Sequence, residues 1–216
     1  VPVTDNWHWH LSKGGKFAMP HAIMPPFLSN KGNYTGSLGN LCRWLAGNAE
    51  ELGVEIFPGF PAAEVLYGDK GEVIGVQTGD MGIDREGNPK GDFQPGMNLL
   101  AKYTVFCEGT RGHLTKRLKT RYDLEAKCQP QVYGIGIKEL WEIPAAQHVE
   151  GLVVHTAGWP MDAATYGGRF CYHLEGNMVS VGFVVGLNYS NPYLSPFEEF
   201  QRYKTHPDIS KFLQGG

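Results

Sequence analysis

The sequence predicts a mixed α/β fold in two parts, a helix–strand half followed by a half built on an antiparallel sheet. A helical pattern from Ser37 to about Leu52 runs straight into the apolar stretch Val54–Phe57. A second apolar stretch, Tyr103–Cys107, stops at Glu108-Gly109, passes Gly112 and enters a helix-like segment with Leu114 and Leu118 four apart. After Cys128 the spacing changes to short strand-like runs separated by turns.

Composition bounds the rest. With 42% hydrophobic and 19% charged residues, the chain of 216 residues is globular and long enough for a sizeable core. The 29 glycines and 14 prolines call for many turns. A net charge of −3 with no basic patch gives no case for a nucleic-acid surface. No run of about 18 apolar residues occurs, so no helical membrane span is expected. Val1-Pro-Val-Thr-Asp5 lacks an initiator Met and a signal pattern, which suggests a piece of a longer protein. Cys42, Cys107, Cys128 and Cys171 form no C-x-x-C element and read as free, mostly buried thiols in a reducing compartment.

In chain order, Phe17-Ala-Met-Pro-His-Ala-Ile-Met-Pro-Pro-Phe-Leu28 carries prolines at 20, 25 and 26, which forbid a regular helix or central strand. It reads either as an irregular loop over a core or as a loop dipping Phe17, Ile23, Met24, Phe27 and Leu28 into a membrane interface. Ser37 caps the first helix, whose stripe is Leu38, Leu41, Leu45, Ala49 and Leu52, and Gly53 closes it. Pro61–Tyr67 and Glu72–Thr78 flank Gly68-Asp-Lys-Gly71 as a hairpin. Residues 79–96, dense in Gly, Pro, Asp and Asn, read as an exposed loop. Tyr103–Cys107 reads as a buried strand, and the glycine turn after it offers backbone N–H groups and a helix dipole to an anionic ligand, a phosphate or a flavin's ribityl–pyrophosphate arm. A plain strand–turn–helix is the competing reading. Val132–Trp141, Gly151–Ala157, Arg169–Leu174 and Met178–Gly186 read as an antiparallel sheet. Ser195-Pro-Phe-Glu198 opens a last helix in the capping manner, and His206-Pro207 ends it. The eight histidines show no metal spacing, and the five tryptophans read as core or interface aromatics.

Longer stretches carry a resemblance. Gly32-Asn-Tyr34, Leu38–Leu45, Ala49–Gly59, Ala62–Leu66, Tyr133–Trp141, His155-Thr-Ala-Gly-Trp-Pro160, Thr165-Tyr-Gly-Gly168 and Gly182–Pro196 together resemble the electron transfer flavoprotein–ubiquinone oxidoreductase family. The likeness covers nearly the whole chain. It implies a part of a FAD/NAD(P)-binding-like domain plus an antiparallel-sheet quinone-binding domain. Residues 1–36 would be a quinone- and membrane-facing segment, 37–128 part of the FAD domain with a hairpin insertion at about 61–100, and 129–216 the quinone domain.

The resemblance also implies a monotopic enzyme with FAD and one [4Fe–4S] cluster, at the mitochondrial inner or bacterial cytoplasmic membrane. It would carry electrons from electron transfer flavoprotein to ubiquinone. Two family features are missing from this sequence: a G-x-G-x-x-G loop for the FAD phosphates and a four-cysteine cluster set. The chain therefore resembles the central portion. Tyr166, Gly167 and Gly168 would meet the quinone, and Phe17–Leu28 the membrane. Ala62, Ala63, Glu108, Gly109 and Gly112 would border the cofactor. No side-chain acid or base is assigned to electron transfer. The alternatives are a flavin-dependent hydroxylase or isoprenoid reductase of the same superfamily, or a non-catalytic fragment.

Overall fold

The computed structural model describes residues 1–216. In chain order its elements are β1 (Asp5–Ser12), β2 (Gly15–Ala18), α1 (Leu38–Glu51), β3 (Ala62–Tyr67), β4 (Val73–Thr78), β5 (Met81–Ile83), β6 (Pro89–Gln94), β7 (Asn98–Leu100), α2 (His113–Arg121), β8 (Gly134–Glu142), β9 (Leu152–Gly158), β10 (Gly167–His173), β11 (Met178–Gly186), α3 (Pro196–Lys204) and α4 (Pro207–Ser210). Two compact units divide them: Val1–Leu45 with Gln131–Gly216, and Ala46–Pro130. The mixed α/β class expected from the sequence is the one observed.

The first unit is a six-stranded sheet in the order β2-β1-β9-β10-β11-β8. The antiparallel set β9, β10, β11 and β8 is the one its alternating residues announce. The structure adds what the sequence did not: β1 joins β9 in parallel and β2 folds back on β1, so the sheet is mixed.

One face of this sheet holds the core. Trp9, Leu11, Val154, Cys171, Val181, Phe183 and Val185 are buried there with Phe200, Tyr203, Ile209 and Leu213 from the C-terminal helices. Ser195 caps α3 by accepting from the Glu198 N–H at 3.4 Å. That start aims Phe200 and Tyr203 inward, and Thr156 Oγ1 meets the buried Tyr203 hydroxyl at 3.2 Å. Lys204 Nζ reaches both carboxylate oxygens of Glu139 at 2.7 Å, tying α3 to β8. His206 starts α4 by accepting from the Asp208 N–H on Nδ1, which leaves Nε2–H to donate to the Ser12 carbonyl at 2.9 Å.

His173 is fully buried on this core face. Its Nδ1 accepts the Val149 N–H at 3.1 Å, and burial, with His148 beside it, holds its pKa at about 4. The folded value lies below the unfolded one of about 6.5, so its contribution is complete above pH 6.5 and is lost as pH falls toward 4. We expect a loss on the order of 2 kcal/mol over that window, less than the full shift because solvent on the His148 side screens part of it. Urea titrations at pH 7 and 4.5 check this: His173→Gln should flatten the difference, and an unchanged difference would contradict it.

The second unit pairs β3 with β4 across the expected hairpin. Gly71 takes a positive φ of 81° there, and Gly68 N donates to the Glu72 carbonyl. Val65, Leu114 and Leu118 form its small core with partly buried Phe106. Three expectations are corrected. Residues 79–96 are not a plain loop, because β5 and β6 pair there and β7 follows on β4. Val54–Phe57 is not a strand, and neither is Tyr103–Cys107, where Tyr103 and Val105 are exposed. Both runs have strand composition, but neither pairs with any strand of the three sheets.

The first helix is capped and closed as expected, with Ser37 Oγ accepting the Asn40 N–H and Gly53 at φ 85°. Its stripe of Leu38, Leu41, Leu45 and Leu52 is nonetheless exposed.

Candidate functional site

The strand registers place the residues of the sheet face opposite the core in three cross-strand rows; Asn6, Val153 and Ser180 on it are buried, whereas Gly168 and Val184 are not. The first row is His10 and Ala157 on one side and Gly168, Val184 and Gly136 on the other, the β9–β10 pairing having ended one step earlier at Arg169–Thr156. The second is His8, His155, Phe170, Gly182 and Lys138, and the third Asn6, Val153, Tyr172, Ser180 and Leu140. Small residues dominate the first row. A Cβ added at Gly168 would meet nothing within 4 Å, so the main chain is open to a flat ligand there. The neighbouring glycines differ. A Cβ at Gly167 would strike the Val184 carbonyl, and one at Gly182 would strike the Phe170 ring.

The loop that delivers the glycine pair is pinned by Asp162. Its Oδ1 accepts from Ala164 N at 3.1 Å, Thr165 N at 2.9 Å and Thr165 Oγ1 at 2.8 Å. Gly186 N then donates to the Tyr166 carbonyl at 2.8 Å. β10 pairs with β9 only over Arg169–Tyr172, so Gly167 and Gly168 are registered with β11 alone. A cavity of about 580 Å³ opens beside them, lined in part by His10, Lys13, Trp159, Thr165, Tyr166 and Gly167. A second, of about 480 Å³, lies over the third row, with Asn33, Tyr34, Lys138, His155, Tyr172 and Ser180 among its walls.

Sequence reasoning missed the polar cluster between these cavities. The His8 and His155 rings stack at 4.9 Å, and His155 Nε2 lies 2.7 Å from the Tyr172 hydroxyl. His8 Nε2 and Asn6 Nδ2 each reach the Leu28 carbonyl at 3.1 Å. Burial foremost, then His8, lowers the His155 pKa to about 4, and burial raises that of Tyr172. No sequence signal could have found this cluster, because it depends on the parallel register of β1 on β9.

Of the apolar loop residues, Phe17 stands on the edge strand β2, while Ile23 and Phe27 stand on two short 3₁₀ turns. All three are exposed, Phe27 to 85%, whereas Met24 and Leu28 are half-buried. The prolines act as the sequence suggests, since only single helical turns form between them.

In the second unit, the Glu108 carboxylate sits on the start of α2. Oε2 accepts from Thr115 N at 2.7 Å and Thr115 Oγ1 at 2.6 Å, and Oε1 from Leu114 N at 3.2 Å. The Thr115 hydroxyl foremost, with these N–H groups, holds the carboxyl below its ordinary range. The helix end thus already carries an anion, and the donor set does not fit a phosphate. Gly109, at φ 73° with open space at its Cβ position, leaves main chain free for a neutral, hydroxyl-bearing group. Ala62 and Ala63 are half-buried at the start of β3, where the Ala62 carbonyl lies 2.9 Å from His113 Nε2.

The expectation that the thiols are mostly buried is corrected: Cys42, Cys107 and Cys128 are exposed, and Cys171 alone is buried, in β10. No group of three His, Cys, Asp or Glu side chains could hold a metal ion, so the residues present do not fit an iron–sulfur cluster. No helix is long and apolar enough to cross a membrane.

Residues 133–216 match the family model described as ETF-QO, ubiquinone-binding. The electron transfer flavoprotein-ubiquinone oxidoreductase of Pseudomonas aeruginosa is 57% identical over 218 residues, covering 100% of this chain and 40% of that protein. The mitochondrial protein of the same name from Bos taurus is 51% identical over 219 residues, covering 100% of this chain and 35% of that one. This chain therefore spans about 35–40% of the length of the relatives it matches. A crystal structure of a geranylgeranyl bacteriochlorophyll reductase-like protein from Thermoplasma acidophilum shares the fold. Its TM-score is 0.63 at 14% identity, over 97% of this chain and 47% of that one. With whole-chain identities above half and the ubiquinone-binding model on its C-terminal part, the chain belongs to the electron transfer flavoprotein–ubiquinone oxidoreductase family.

Proposed function

We propose that this chain is the quinone-handling part of an enzyme that passes electrons from reduced electron transfer flavoprotein to ubiquinone at a membrane surface. The observation that carries the reading is the open main chain at Gly168, in a row of small residues within the segment matched by the ubiquinone-binding model. A planar ring can lie on such a row, and a quinone carbonyl can accept the Gly167 N–H, which faces the side that β9 has left, whereas the Gly168 N–H belongs to the β11 ladder. Tyr166, Gly167 and Gly168 are the proposed quinone contacts, with Tyr166 and Gly167 on the wall of the adjoining cavity.

A lipid-soluble quinone reaches such a site from the bilayer. Exposed Phe17, Ile23 and Phe27, with Met24 and Leu28 behind them, are the proposed membrane-facing group. The setting is peripheral, on the mitochondrial inner or bacterial cytoplasmic membrane, as the sources of the relatives suggest.

Residues 37–128 are proposed to form part of a FAD-binding domain. FAD, when bound, supplies the one- and two-electron chemistry that links the flavoprotein to the quinone. Ala62, Ala63, Glu108, Gly109 and Gly112 are proposed to border its hydroxyl-bearing arm. Its phosphates, like any [4Fe–4S] cluster, need residues outside this chain. The chain's own contribution is to bind and orient the quinone and to keep its ring out of water.

The test is turnover of a short-tailed ubiquinone by the flavin-loaded protein that carries this chain, with reduced electron transfer flavoprotein as donor. Quinone-dependent reoxidation of the donor is the expected result. Turnover that runs instead on NAD(P)H or oxygen would overturn the reading and favour a hydroxylase or isoprenoid reductase.

A further inference from the structure

Electron transfer leaves a charge on the quinone oxygens, and nothing described so far supplies the proton that neutralises it. We propose that Tyr172 gives its hydroxyl proton to the reduced quinone, and that His155 positions that hydroxyl and restores its proton. The proposal rests on the quinone reading.

Placement supports it first. Gly168, Phe170 and Tyr172 alternate on one face of β10, and His155 lies opposite Phe170. Tyr172 stands four residues, about 13 Å of strand, beyond Gly168. A ring on Gly168 covers the first half of that span, and the Tyr172 hydroxyl comes back toward it at His155, opposite Phe170, where it lies 2.7 Å from Nε2. Phe170, stacked on Tyr172 at 4.6 Å, floors the space between. Tyr172 and His155 both line the cavity over the third row.

Hydrogen bonding supports it second. His155 Nδ1 is buried with no partner in the chain, although Nε2 is engaged. His173 Nε2 in the core is likewise unpartnered, so what sets His155 apart is the Tyr172 hydroxyl on its other nitrogen. In a relay, Nδ1 is the atom that takes up the replacing proton. The groups facing the pair are His8 from β1, Lys138 from β8 and Tyr34 from the segment before α1, and no carboxylate is among them. With the His155 pKa near 4 and that of Tyr172 raised, both rings are neutral at pH 7. The pair then hands on a proton without holding a charge between turnovers.

The step balances. Two electrons from the reduced flavoprotein enter the quinone. The Tyr172 O–H bond breaks as an O–H bond forms on the ring oxygen. The tyrosinate takes the Nε2 proton of His155, Nδ1 gains one from water admitted as the quinol leaves, and exchange with that water returns the ring to its Nε2–H form. The second quinol proton comes from water at the other carbonyl.

The test uses the flavin-loaded protein that carries this chain, with a short-tailed ubiquinone. Tyr172→Phe should lower quinone turnover about 10²-fold and enlarge the solvent deuterium isotope effect, with flavin reduction intact. Quinone affinity, read by tryptophan fluorescence quenching, should stay within about threefold, as expected for an interaction made only after binding. His155→Gln can still donate to Tyr172 but cannot relay, so it should lower turnover about tenfold and move the pH profile. Wild-type turnover in Tyr172→Phe overturns the proposal. So does a loss matched by an equal loss of quinone affinity, or full activity in His155→Gln. Absence of quinone turnover in the unmodified protein overturns the quinone reading and this proposal together.

Discussion

Gly168→Val is expected to cut quinone turnover by at least about 10²-fold while electrons still reach the flavin, because a side chain there lifts the ring off the main chain, and misplacement by about 1 Å suffices for such a loss. The substitution isolates the site because the fold should accept it. An added Cβ at Gly168 meets no atom within 4 Å, and a β-branched residue suits a strand. The thermal midpoint of Gly168→Val should therefore equal or exceed that of the parent. Gly167→Ala is the contrasting control: its Cβ would strike the Val184 carbonyl across the β10–β11 ladder, so stability falls along with activity. Stopped-flow flavin reduction, steady-state quinone turnover and thermal unfolding on both variants separate the cases. Unchanged quinone turnover in Gly168→Val would remove Gly168 from the site.

The contrast between those two glycines also marks the limit of what the sequence reveals. Thr165-Tyr-Gly-Gly168 is legible as a glycine pair before a strand, but which glycine opens outward depends on the pleat and on where β9 peels away from β10. The four strands after residue 133 were legible because alternation, turns and burial agree. In β10, Arg169, Cys171 and His173 go inward while Gly168, Phe170 and Tyr172 go outward. Strand composition misled where no partner strand exists, as at Val54–Phe57 and Tyr103–Cys107. It stayed hidden where glycine and proline dominate, as at Gly82, whose positive φ of 68° carries an irregular β5–β6 pairing. β1 was missed because Trp7-His-Trp-His10 alternates tryptophan with histidine rather than apolar with charged residues, and its parallel partner lies some 147 residues away, as the Asp5–Leu152 pair shows.

The same alternation sets the largest expected stability effect. Phe183 and Val184 are neighbours on β11, yet Phe183 is fully buried whereas Val184 faces away from that core at 37% exposure. Three groups close around the Phe183 ring: Phe200 and Tyr203 from α3, each with ring centroids 6.1 Å away, and the buried Arg169 guanidinium at 4.7 Å. Arg169 has no hydrogen-bond partner on Nε or Nη2, and burial lowers its pKa to about 10, so the aromatic face is a substantial part of what the charge has. Phe183→Ala removes the ring from the junction of sheet and helix and leaves Arg169 without it. The expected cost is about 3–5 kcal/mol, from lost transfer energy plus a cavity that the ladders to β8 and β10 keep from collapsing. Val184→Ala, one residue on, should cost less than about 1 kcal/mol because its partners are few and solvent is near. Urea midpoints of the two variants at pH 7 decide the matter. A cost for Phe183→Ala under about 1.5 kcal/mol, or near-equal costs at both positions, would mean that the two faces of this sheet are not the dry and open sides that place Gly168 and Tyr172 before a ligand.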